Sequence, residues 1–198
     1  TQSPSSAASD VYKRQVVSEL LRQGLLPRVI SGSSAGSIVA AALAAYTDEE
    51  MAELDLVGMM DSDDDVSKSV LWQWVSGMGS RLTAEDTEKL IAETIPDLTF
   101  AEAYAKTGRQ VSITVAPAEP HQRSRLLNAV SSPNVYLRSA AMASCAIPGV
   151  FPAVMLQAKN ELGESQPYLP ARRWVDGSGA DDLPAKRLSR LFSTNHYI

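Results

Sequence analysis

The stretch with the most chemical potential is Gly32-Ser33-Ser34-Ala35-Gly36-Ser37, which contains Gly-x-Ser-x-Gly with Ser34 at its centre. A serine held on a sharp turn between a strand and a helix is a nucleophile elbow, the arrangement used for acyl transfer. Gly32 and Gly36 are expected to let the two backbones approach without a Cβ clash. The N–H groups that open the following helix, that of Ala35 among them, would face the charge developing beside Ser34. The plainer reading is a glycine-rich strand–helix turn that cradles phosphate.

A serine hydroxyl is a poor nucleophile until a base takes its proton. The chain has two histidines, His121 in the polar turn Pro120-His121-Gln122 and His196 near the end. Either would be needed for a Ser-His-Asp triad, and neither position favours that role. Asp176 is the better candidate, because it follows Trp174-Val175 and is trailed by Gly177-Ser178-Gly179. Strand ends in open α/β sheets are where sites gather. An exposed aspartate, with a pKa of about 3.9, is a weak base, and burial beside apolar groups would strengthen it. Asp-Gly is also a strong turn signal, so turn and base both stand as readings of Asp176.

The elements that must carry these residues follow from local patterns. Arg28-Val29-Ile30-Ser31 reads as a short strand, and Ile38 to Ala45 as an alanine-rich helix that can lie close on a sheet. A helix from Val16 ends at Gly24, and Thr47 or Asp48 caps a helix carrying Met51, Leu54 and Val57. Thr83 caps a helix through Ile95, and Thr99-x-x-Glu102 forms a capping box for a short helix closed by Gly108. Val111, Ile113 and Val115 alternate as a strand, with Ser124 to Val130 as its partner. Ser139 to Cys145 is a small-residue helix ended by Ile147-Pro148-Gly149, and Gln157 to Pro170 is a polar loop or hairpin. Arg172 to Val175 is a strand, and Pro184 opens a last helix with Leu188, Leu191 and Phe192 on one side. Helices alternating with strands predict an α/β domain with a mostly parallel central sheet.

The 198 residues fit one domain, and 44% hydrophobic content suffices for a core. A net charge of -5 argues against nucleic acid as the main partner. Cys145 is the single cysteine, which rules out an intrachain disulfide and a cysteine-based metal site. Asp61, Asp63, Asp64 and Asp65 lack the glycine and terminal glutamate of a calcium loop, so they read as a solvated loop. Val70 to Val75, with Trp72 and Trp74, would line an acyl groove, touch a lipid surface or sit in the core. No apolar run is long enough for a membrane span and no signal peptide opens the chain. A cytoplasmic location, or a peripheral one at a membrane or lipid surface, is therefore expected.

Residues 1–15 read as a non-native leader: they lack apolar periodicity, and Asp10-Val11-Tyr12-Lys13-Arg14-Gln15 matches a translated sequencing-adapter end. The native domain is then expected to be 16–198, incomplete at both ends.

Taken jointly, several segments resemble the patatin-like phospholipases, and within them the branch of fungal and plant storage-lipid triacylglycerol lipases and their bacterial relatives. They are Gly24 to Ser37, Ala143 to Pro152, Trp174-Val175-Asp176-Gly177-Ser178, Asp182-Leu183-Pro184, and Leu191-Phe192 through Asn195-His196. The resemblance implies a three-layer patatin-like fold and a Ser-Asp dyad without a catalytic histidine. Ser34 would be the nucleophile, Asp176 the aspartate of the Asp-Gly motif, and Ala146 to Pro152 part of the site wall. It implies no cofactor and no metal, and it implies hydrolysis of an acylglycerol or phospholipid ester, with transfer to another alcohol as a variant. The family also carries a glycine-rich oxyanion loop upstream of the elbow. Ser5 to Gln15 stand at that position without a glycine. A missing first strand and oxyanion loop, and weak or absent activity of the chain as written, are therefore expected. The readings of a different class are a His-dependent esterase and a non-catalytic lipid-binding domain.

Overall fold

The computed structural model describes residues 16, 17, 19–53, 83–119, 121–177 and 184–197. Residues 1–15, expected to be a non-native leader, the acidic cluster 61–65, the tryptophan stretch 70–75, Leu54, Val57 and Ser178 to Leu183 lie outside them. A helical segment, residues 16–17 and 19–22, precedes Gly24, whose φ of 64° is the left-handed geometry expected of a helix terminator.

The sheet is built on β2 (Gln110–Pro117). Val111, Ile113 and Val115 are buried, and so are Ser112 and Thr114 between them, so both faces of this strand are covered. β1 (Val29–Gly32) runs parallel to β2. β3 (Arg125–Leu127) and β6 (Trp174–Asp176) run antiparallel to it. The α/β reading holds, but the expectation of a mostly parallel sheet is corrected: among the described residues one ladder is parallel and two are antiparallel. The reason is connection length. β2 returns as β3 through the short segment 118–124, which permits only a reversal of direction. β4 (Gln157–Lys159) and β5 (Ser165–Pro167) form a separate hairpin, as their polar run suggested.

α1 (Ala35–Ala45) and α5 (Leu137–Cys145) lie side by side against this sheet, and α3 (Ala84–Thr94) packs against both. α4 (Phe100–Thr107) packs on α1. Ala40 to Ala45 of α1 are all buried. Small side chains are what let one helix touch the sheet and three neighbouring helices at once. Ile38, Ile113, Val115, Leu137 and Trp174 share the core with these alanines.

Capping follows the local sequence. In α3, Thr83 Oγ1 accepts from Asp86 N–H at 3.1 Å while the Asp86 carboxylate accepts from Thr83 N–H at 3.0 Å. Thr99 and Glu102 repeat the device in α4, and Thr47 and Glu50 repeat it for α2 (Asp48–Glu53). The far end of α1 is tied down as well. Buried Arg109 donates to the carbonyls of Leu43 at 3.1 Å and Tyr46 at 2.8 Å, and Thr107 Oγ1 donates to that of Ala44 at 2.9 Å. The guanidinium also pairs with Asp48. Carbonyls left over at a helix C-terminus thus find donors. In α6 (Ala185–Phe192) only Leu188 is buried; Leu191 is exposed and Phe192 half-buried, so the expected common apolar side is narrower than its sequence suggests. This short helix lies at the periphery, held by Arg187 donating to the Ser124 carbonyl at 2.9 Å.

Candidate active site

β1 delivers the chain into α1 through Ser33 and Ser34. Ser34 has φ 48° and ψ -129°, a conformation costly for any residue with a Cβ. Two features hold it there. The first is steric: a Cβ on Gly32 would lie 2.2 Å from the Gly36 carbonyl oxygen, so strand and helix nearly touch across the bend. The second is hydrogen bonding to both sides of the serine backbone. Ser34 N–H donates to Ser144 Oγ at 3.0 Å. The Ser34 carbonyl accepts from Ser37 N–H at 3.0 Å, from Ser37 Oγ–H at 2.6 Å and from the Cys145 thiol at 3.4 Å.

Sheet register decides what faces this serine. β3 pairs with Ile113 and Val115 along one edge of β2. The same two residues pair with Gly32 of β1 and Asp176 of β6, which must therefore share the opposite edge. β1 runs with β2 and β6 runs against it, so their C-terminal ends point at each other with only the level of Thr114 between them. Both chains leave the sheet at that gap. Gly177 permits the exit of β6, because a Cβ there would come within 2.9 Å of Thr114 Cγ2 and the Val115 backbone. The outcome is that Ser34 Oγ–H donates to Asp176 Oδ2. Asp176 is fixed in turn by its own N–H, which donates to the Ala146 carbonyl at 2.9 Å.

The structure thus brings Ser34 and Asp176 together, with Gly32 and Gly177 supplying the close approaches and Ala35 opening α1 beside them. The steric role expected of Gly36 is corrected. A Cβ at Gly36 would meet no described atom within 4 Å, since its own carbonyl is what Gly32 makes room for and its α-carbon faces outward. His121 sits exposed in the turn after β2, with φ 63°, and His196 is exposed near the end of the described chain. Among the described residues no group of His, Cys, Asp and Glu is placed to hold a metal ion.

Sequence reasoning gave Ser144 and Cys145 no role at the site, placing them in a small-residue helix and in one of the segments that carry the family resemblance. The available signal was two hydrogen-bonding side chains in the last turn of a helix otherwise fit for burial. Both are buried. Burial pushes the Cys145 thiol well above its usual range; the Ser37 hydrogen bond opposes this and the negative charge of Asp176 adds to it.

The patatin-like phospholipase family profile matches residues 11–188. Triacylglycerol lipase 4 of Saccharomyces cerevisiae is 41% identical over 197 residues, covering 92% of this chain and 22% of that protein. Triacylglycerol lipase 5 of the same yeast is 37% identical over 201 residues, covering 92% of this chain and 27% of its own length. A patatin-like phospholipase domain-containing protein of Aspergillus niger is 35% identical over 191 residues, covering 94% and 25%. The chain therefore spans about a quarter of the length of these relatives. Among solved structures, the complex of full-length SpcU with full-length ExoU from the Pseudomonas aeruginosa type III secretion system aligns at 20% identity and a TM-score of 0.37. That alignment covers 74% of this chain and 36% of the other. With the family profile matched over most of its length, this chain belongs to the patatin-like phospholipases.

Proposed function

We propose that this domain cleaves carboxylic esters of acylglycerols or phospholipids through an acyl-enzyme on Ser34, with Asp176 as the base. One observation carries the reading: the Ser34 hydroxyl, on a strained turn, donates to the Asp176 carboxylate. Names of relatives support the substrate class, two of them being triacylglycerol lipases.

The chemistry follows from those atoms. Ser34 Oγ attacks the ester carbonyl carbon as its proton passes to Asp176 Oδ2. The tetrahedral oxyanion is stabilised by amides at the start of α1, that of Ala35 first among them. Collapse breaks the ester C–O bond, and Asp176 returns the proton to the departing alkoxide. Water then attacks the acyl-serine, giving its proton to Asp176 as the carboxylic acid leaves and Ser34 is regenerated. An alcohol in place of water gives acyl transfer by the same steps. No cofactor enters this scheme. The Ala35 amide is the donor this chain offers beside Ser34, and the family resemblance would add others from a glycine-rich loop upstream of the elbow. Loss of one such donor costs about 10²–10³ in rate.

Contact with a lipid surface is part of the proposal. Ile147 and Val150 are exposed on the turn that follows Ala146, the residue whose carbonyl holds Asp176. No described helix is long and apolar enough to cross a membrane.

The test measures p-nitrophenyl ester turnover and fluorophosphonate labelling in the complete reading frame. Ser34→Ala and Asp176→Asn should each lose at least about 10³-fold in kcat, while His121→Ala and His196→Ala keep the rate. Turnover surviving in Ser34→Ala, or lost in either histidine variant, would sink the dyad.

A further inference from the structure

Three consecutive residues at the end of α5 hold three backbone groups of the candidate site. Ser144 Oγ receives Ser34 N–H at 3.0 Å, the Cys145 thiol reaches the Ser34 carbonyl at 3.4 Å, and the Ala146 carbonyl receives Asp176 N–H at 2.9 Å. All three residues are buried. Serine and aspartate lie 142 positions apart in the chain, yet both are fastened to one short piece of backbone.

Within this segment Ser144 does what its neighbours cannot. Its hydroxyl accepts from Ser34 N–H and donates to the Thr114 carbonyl at 2.8 Å, so both of its hydrogen-bonding capacities are engaged. Thr114 is the β2 residue at the gap where β1 and β6 meet end to end. The hydroxyl therefore spans the sheet and the elbow at the point where both chains leave the ladder. Ser34 lies two residues beyond the end of β1, and its N–H takes Ser144 Oγ as partner in place of a strand carbonyl. Without a partner inside, that peptide would relax by rotating toward solvent or the sheet, and such a rotation swings Ser34 Oγ away from Asp176.

We infer that Ser144 is a positioning residue: its hydroxyl fixes the Ser34 peptide and thereby the aim of Ser34 Oγ at Asp176. The inference rests on the reading of Ser34 as nucleophile. It acts on the reacting geometry and not on substrate affinity, which makes its kinetic signature specific. A misplacement of about 1 Å costs on the order of 10²-fold in rate.

The experiment is done in the complete reading frame with p-nitrophenyl ester and a fluorophosphonate probe, on variants whose melting is checked first. Ser144→Ala should lower kcat and the labelling rate about 10–10²-fold with KM within about 2-fold of wild type. Ser144→Cys keeps the size with a weak donor and acceptor; its loss should be several-fold, and it carries the test should Ser144→Ala not fold. A wild-type kcat in the folded Ser144→Ala or in Ser144→Cys, or a loss confined to KM, overturns the inference. Ser34→Ala is measured alongside. Its inactivity together with a wild-type Ser144→Ala refutes the positioning role alone. Turnover in Ser34→Ala refutes the nucleophile reading and this inference with it.

Discussion

Replacing Gly32 by alanine puts the close approach beneath Ser34 to a direct test. The added Cβ would sit 2.2 Å from the Gly36 oxygen, 2.5 Å from the Gly36 carbonyl carbon and 2.8 Å from the Ser37 nitrogen, where ordinary contact begins at 3.4 Å. All three atoms are backbone, so no side chain can swing away. The first turn of α1 must part from β1 by about 1.2 Å. It cannot slide freely, because Arg109 and Thr107 hold its other end and Ser144 and Cys145 hold Ser34 itself. Overpacking of this kind costs about 1–3 kcal/mol of stability. A shift of about 1 Å at the reacting serine costs on the order of 10²-fold in rate, or about 2.7 kcal/mol of barrier. Gly36→Ala is the matched comparison for stability: nothing described obstructs its Cβ, and alanine is the better helix former by about 1 kcal/mol. Urea melts should show Gly32→Ala destabilised and Gly36→Ala unchanged or stabilised. The fluorophosphonate labelling rate of folded Gly32→Ala should drop about 10²-fold. Two variants with equal melting shifts, or a Gly32→Ala that labels at the wild-type rate, would refute the reasoning.

Three other outcomes are expected. Ser34→Gly should be more stable than Ser34→Ala by about 1 kcal/mol, since glycine alone accepts φ 48° without strain; urea denaturation of the two inactive variants decides it, and the reverse order counts against a strained elbow. The Cys145 thiol, buried and held well above its usual pKa, should ignore Ellman's reagent at pH 8 in the native chain and react as one equivalent on unfolding; prompt native reaction would contradict its burial. At Glu102, burial works to raise the carboxyl pKa, but hydrogen bonds from Lys159 at 2.5 Å and from Thr99 at 2.8 Å outweigh it and hold the group below its ordinary value of 4.5. A depressed carboxylate pKa stabilises the fold above that ordinary value, and the contribution is lost as pH falls through the folded one. Glu102→Gln should therefore cost up to about 1 kcal/mol at pH 7 and progressively less as the pH falls below 4.5, and a gap that does not shrink on acidification would discount the charge.

Much of this domain is written locally. The bend at Gly32 to Gly36 was legible because a β-branched strand, a glycine pair and an alanine helix follow one another without interruption. Thr83 with Asp86 and Thr99 with Glu102 announce their helices because cap and recipient lie three residues apart and need nothing from the rest of the molecule. The alternation of Val111, Ile113 and Val115 likewise marks a strand from side-chain period alone. Strand direction was less legible. A mostly parallel sheet was expected from alternating elements, whereas the short return after β2 and the entry of β6 make it mixed.

Ser34 could be singled out from neighbouring residues, and Asp176 was preferred to the two histidines as its partner. Spacing alone still left Asp176 open between a turn and a base, because what faces a hydroxyl depends on which strands share an edge and in what register. Gly32 and Asp176 come to levels of β2 separated by Thr114 alone only once Ile113 and Val115 have been paired on both sides. The hold of Ser144 on Ser34 spans 110 positions and leaves no local pattern to read. Short-range order is governed by steric and hydrogen-bonding rules that act over three or four residues, and these are visible in the amino acids themselves. The meeting of Ser34, Asp176 and Ser144 is governed by packing of the assembled sheet and helices, which exists only when the whole core has formed.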